Sequence, residues 1–73
     1  MSTEWLSAEA RRRLEARLAD VAMEHRDLDI AIQALERVTP RDDLQIQRMK
    51  KRKLALKDEI EWLERQLQPD EPA

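Results

Sequence analysis

His25, Asp29 and Lys53 are the residues of this sequence best suited to chemistry. His25 lies in Glu24-His25-Arg26-Asp27-Leu28-Asp29, with a carboxylate four residues on. That spacing puts both groups on one helix face. Such a pair can ligate a metal or relay a proton. The rest of the chain offers little to complete either task. It has one His and no Cys, too few ligands for a closed zinc site. No Ser or Thr lies in the same helical region to act as a nucleophile. The expectation is therefore no catalytic residue, no metal and no cofactor, with His25 as a seam residue bonded to Asp29 or Lys53.

Charge supplies the second candidate. Arg48-Met49-Lys50-Lys51-Arg52-Lys53, extended by Lys57, has no acid between Leu44 and Lys57. Arg48, Lys50, Lys51, Arg52 and Lys57 are the candidate contacts for a polyanion. The plainer reading is a solvated face that also supplies partners for Glu24, Asp27 and Asp29. No aromatic residue interrupts the run, and Asp58, Glu59, Glu61 and Glu64 follow at once, read as a solvated face with Lys57 and Arg65. Arg11-Arg12-Arg13 sits too far along the chain to merge with it. The net charge of −2 exerts no general pull toward nucleic acid. Nucleic-acid binding is kept as the alternative to protein–protein interaction.

The elements that must position these residues are helices. The chain has no Gly and three Pro in 73 residues, and 41% of it is charged. Chain reversals of the kind a β fold needs are therefore nearly absent. Ser7 before Ala8-Glu9-Ala10 reads as an N-cap, with Thr3 an equally good one. Thr39-Pro40-Arg41-Asp42 reads as a second helix start, with Pro at the first helical position and carboxylates in the first turn. The residue before Pro is pushed out of the α region, so the first helix must stop before Thr39. The expected plan is an arm over 1–6, a helix over 7–37, a turn at 38–39, a helix over 40–67 and a tail over 68–73.

Two uninterrupted heptad seams support this plan. Leu14, Leu18, Val21, His25, Leu28, Ile32 and Leu35 follow steps of four and three residues, as do Ile46, Met49, Lys53, Leu56, Ile60, Leu63 and Leu67. Folding the helices back on each other pairs Leu35 with Ile46, Ile32 with Met49, Leu28 with Lys53, and His25 with Leu56. Val21 then meets Ile60, Leu18 meets Leu63, and Leu14 meets Leu67. His25 and Lys53 are the polar breaks, in adjacent layers, and Asp29 lies beside them. Together they are expected to form a polar patch that specifies alignment, with Asp29 paired to Lys53 or to Lys50.

A second apolar set lies off the seams. Met23 and Ile30 fall on the outer side of the first helix, and Leu44, Leu54, Ala55 and Trp62 on that of the second. A lone hairpin exposes them, and a row of such residues marks an interface. Ordering roughly 1.5 kcal/mol per residue nearly cancels the burial available to so small a scaffold. A homodimer or higher oligomer follows as the expectation, as in a four-helix bundle, together with an unidentified protein partner. Trp5 is a docking candidate on the arm. No apolar run approaches the roughly 20 residues of a membrane span. The opening Met1-Ser2-Thr3-Glu4-Trp5 lacks the features of a secretory signal, so a cytoplasmic setting is expected.

The motif Glu24-His25-x-x-Leu28-Asp29-x-x-Ile32, followed by Met49-Lys50-Lys51-x-Lys53-Leu54-x-Leu56-Lys57-Asp58-Glu59-Ile60, resembles the YdcH-like family of small bacterial helical-hairpin proteins, a domain of unknown function. Met49 stands where Leu is commoner in that family. The resemblance covers about residues 14–67 and implies a hairpin in a bacterial cytoplasm. It supplies no activity, cofactor or binding residues. The family's characteristic His, Asp and Lys correspond to His25, Asp29 and Lys53.

Overall fold

The computed structural model describes residues 6–68, and the expectations for Trp5, Thr3 and the last five residues lie outside them. Among the described residues there are two helices and no strand: α1, Ala8–Glu36, and α2, Asp43–Leu67. They pack against each other as a hairpin in a molecule measuring 53 × 26 × 14 Å.

α1 begins where its cap dictates. Ser7 has an extended backbone, and its hydroxyl accepts a hydrogen bond from the Ala10 amide at 3.0 Å, satisfying one of the orphan donors of the first turn. At the other end, without a glycine to adopt a left-handed turn, Arg37 stays in the right-handed region. The Arg37 and Val38 amides donate to the carbonyls of Ala34 and Leu35, each at 3.2 Å, a tightened last turn.

α2 begins three residues later than the sequence suggests. Its cap is Asp42, whose carboxylate accepts from the Gln45 amide at 3.0 Å, and not Thr39. The Thr39-Pro40 bond is cis, and residues 37–42 form the connection. Packed helix axes stand 8–10 Å apart, and residues 37–42 cross that gap. Asp42 offers the same capping chemistry after a longer span, and the Asp43 carboxylate still lies in the first turn, where the helix dipole favours it.

The predicted seams are the buried faces. Every seam position from Leu14 to Leu35 and from Ile46 to Leu67 is buried or half-buried. Val21, Leu56 and Leu63 form the innermost cluster, with Leu14, Leu18, Leu28 and Ile60 packed against it. Ile32 and Ile46 are also buried, nearer the turn. Leu6, assigned from sequence to a loose arm, is half-buried and helps line a depression of about 450 Å³ with Ala10, Leu14 and Trp62. The packed part of the chain thus starts before the first cap.

Candidate functional site

The polar break in the seam closes through one ion pair. Lys53 Nζ lies 2.7 Å from Asp29 Oδ1, and the Gln33 amide donates to the other carboxylate oxygen at 3.3 Å. The Lys53 ammonium holds the Asp29 carboxyl below its ordinary pKa, first by hydrogen bonding and then by its charge, with His25 adding in the same direction. The side chains of Lys53 and Asp29 remain 32% and 43% exposed, so Lys53 lays its stem along the seam and keeps its head in water. His25 is half-buried on the same face. It forms no hydrogen bond to Asp29 or Lys53, so the three residues are neighbours but not a closed network. Asp29 chooses Lys53 over the other sequence-derived partner, Lys50, which pairs instead with Glu36 at 3.0 Å.

Both edges of the seam carry further pairs. On one, Arg17 meets Glu59 through two hydrogen bonds of 2.6 and 3.0 Å, and Arg52 meets Glu24 at 3.1 Å. Arg17 holds the Glu59 carboxyl below its usual range, and Glu59 raises the Arg17 guanidinium in turn. These positions are one step outside the seam in both helices, where an antiparallel pair brings like heptad letters together. Applying the layer arithmetic to that letter would have found them; the sequence reading applied it only to Asp29. Glu59 therefore leaves the acidic face to which it was assigned.

The pairs are also discriminating. Sliding one helix by a heptad sets Arg17 against Arg52 in one direction and Glu24 against Glu59 in the other. Individual exposed ion pairs stabilise little, but like charges facing each other oppose the slipped alignments. The charge pattern and the apolar layers select the same register.

The basic run divides in this geometry. Lys50, Arg52 and Lys53 face α1 and are held by Glu36, Glu24 and Asp29. Arg48, Lys51 and Lys57 are exposed and make no ion pair among the described residues. The expected partner Asp27 makes none there either, because it points away from α2. Of this run, three cations remain for an outside ligand.

The outer apolar residues are exposed. Met23, Ile30, Leu44, Leu54 and Trp62 are between 49% and 65% exposed, joined by Val38 at the turn. They do not form one patch: Met23 and Ile30 lie behind α1, and Leu44, Leu54 and Trp62 lie behind and beside α2. Trp62 lies closest to a concave surface, the depression lined also by Leu6, Ala10, Arg13, Leu14 and Gln66 at the open end of the hairpin. At the turn, a second depression of about 300 Å³ is lined by Glu36, Arg41, Asp43, Ile46, Gln47 and Lys50, side chains of both signs. Among the described residues no cluster of three or more His, Asp or Glu is placed to hold a metal ion, and no helix is long and apolar enough to cross a membrane.

Fold and surface together define a two-helix module that presents outward faces. Residues 18–64 match the model of a family described as a protein of unknown function, DUF465. The chain belongs to that family. No curated protein and no solved structure matches it significantly.

Proposed function

We propose that the chain is a non-enzymatic assembly and interaction module that associates with copies of itself through the outer side of the hairpin. The observation that carries this reading is the contrast between a closed seam and large apolar side chains left half or more exposed on both helices. Each contributes roughly 25 cal/mol per Å² of apolar surface when covered, and a scaffold near the lower size limit has little other stabilisation to draw on. The YdcH-like naming fits the family match, and with it goes a cytoplasmic bacterial setting. Polyanion binding is less well supported, because α1 already engages Lys50 and Arg52.

Sedimentation equilibrium from micromolar to submillimolar concentration tests the proposal. The expected result is a mass at a whole multiple, two or more, of 8.7 kDa. A monomer over that whole range, with helical circular dichroism retained, would overturn it.

A further inference from the structure

The outer side of α2 carries a ridge with the spacing of a seam. Leu44, Arg48, Lys51, Ala55, Asp58 and Trp62 follow alternating steps of four and three residues, so they form one straight stripe on the outer side of α2, whose end at Trp62 borders the depression shared with α1. All six are exposed. Arg48, Lys51 and Asp58 make no ion pair among the described residues, unlike their inward neighbours Lys50, Arg52 and Glu59.

We infer that this stripe is the contact between two copies of the chain, packed antiparallel about a two-fold axis midway between Lys51 and Ala55. The inference rests on the self-association proposed above and assigns it a face and a direction. In an antiparallel pair, residues of one step face those of the other, as they do between α1 and α2. One alignment sets Leu44 on Trp62 of the second copy, Arg48 on Asp58 of the second copy, and Lys51 on Ala55 of the second copy. The two-fold axis repeats each contact in reverse, as a symmetric interface requires. The ends are apolar, the layers inside them pair opposite charges, and the small Ala55 leaves room for the Lys51 stem.

Charge complementarity excludes the competing arrangements. A slip of one heptad sets Arg48 against Lys51 in one direction and against Arg65 in the other. Parallel packing sets Arg48, Lys51 and Asp58 each against its own copy. The corresponding stripe of α1 does not close in this way: its centred alignment sets Arg13 against Ile30 and Asp20 against Met23, and a slip of one heptad toward the turn sets Asp27 against Met23. Opposed charges in this pattern act mainly as selectors of partner and direction.

Charge exchange on the full chain tests the inference, read by sedimentation with helicity monitored alongside. Arg48→Asp and Asp58→Arg are each expected to weaken the dimer about tenfold or more. Arg48→Asp combined with Asp58→Arg is expected to restore it, since the pair is then exchanged and not removed. Trp62→Ala is expected to weaken it as well. A wild-type dimer that neither single exchange weakens, or that the double exchange fails to restore, would overturn the inference and leave the assembly reading intact. So would a dimer that dissociates on Met23→Gln with Ile30→Gln but tolerates the exchanges. A wild-type monomer would remove both.

Discussion

Arg17 on α1 and Glu59 on α2 bind each other through two hydrogen bonds across 42 residues of sequence, the shorter one 2.6 Å long. Seven residues further along each helix toward the turn, the same edge carries the reverse arrangement, Glu24 against Arg52. The order of charge along the edge therefore encodes which layers face each other. Arg17→Glu and Glu59→Arg should each lower the melting temperature, and the double exchange should recover most of the loss. A double-mutant cycle by thermal denaturation measures the coupling; additive losses would show that the pair has no part in alignment.

Acid should act through the same groups. Asp29 faces Lys53, His25 and Gln33, and Glu59 faces Arg17 and Arg52; both carboxyls bind protons more weakly folded than unfolded. Their stabilisation is therefore fully present above the unfolded carboxylate range near pH 4 and is lost as pH falls through the lower folded values. Thermal melts between about pH 5 and pH 2 should show a fall, and Arg17→Gln should make it shallower. An unchanged slope in that variant would contradict the assignment.

The core has no spare layer. Leu56 is 1% exposed and belongs to the innermost cluster with Val21 and Leu63. Leu56→Ala should remove about 2–5 kcal/mol, enough to abolish cooperative unfolding in a hairpin of this size. Ellipticity at the helical minimum during a melt reads this directly. A sharp transition close to that of the wild type would mean that burial is carried elsewhere.

Lys53 poses the opposite case. Replacing it with Leu lengthens the apolar seam, and Asp29, 43% exposed at its side chain, can be hydrated without its partner. Lys53→Leu should raise the melting temperature while broadening the distribution of oligomers, since a polar seam position trades stability for alignment. Unchanged stability and unchanged mass together would remove the alignment role from Lys53.

The seams were legible in the sequence because heptad spacing is a property of residue types alone, and every residue it selected is buried or half-buried. The pairing of Asp29 with Lys53 was legible as one of two options, and the choice depends on rotamers that spacing does not encode. The start of α2 was misread because Thr39-Pro40 and Asp42 both carry capping chemistry, and residue type alone does not rank them. Arg17 with Glu59 was missed although its signal was present, one letter away from positions already assigned. The outer residues were found singly, but their separation onto different sides emerges only when the helices have an orientation.

Everything rests on α1 and α2 of one chain lying against each other with Val21 beside Leu56 and Leu63. Methyl-labelled chains diluted into an excess of unlabelled protein provide the direct test, by nuclear Overhauser contacts. Cross-peaks from the Val21 methyls to those of Leu56 and Leu63 should persist at full strength, because they arise within one molecule. Their loss on dilution would mean that the two seams close between chains, and the hairpin would be wrong.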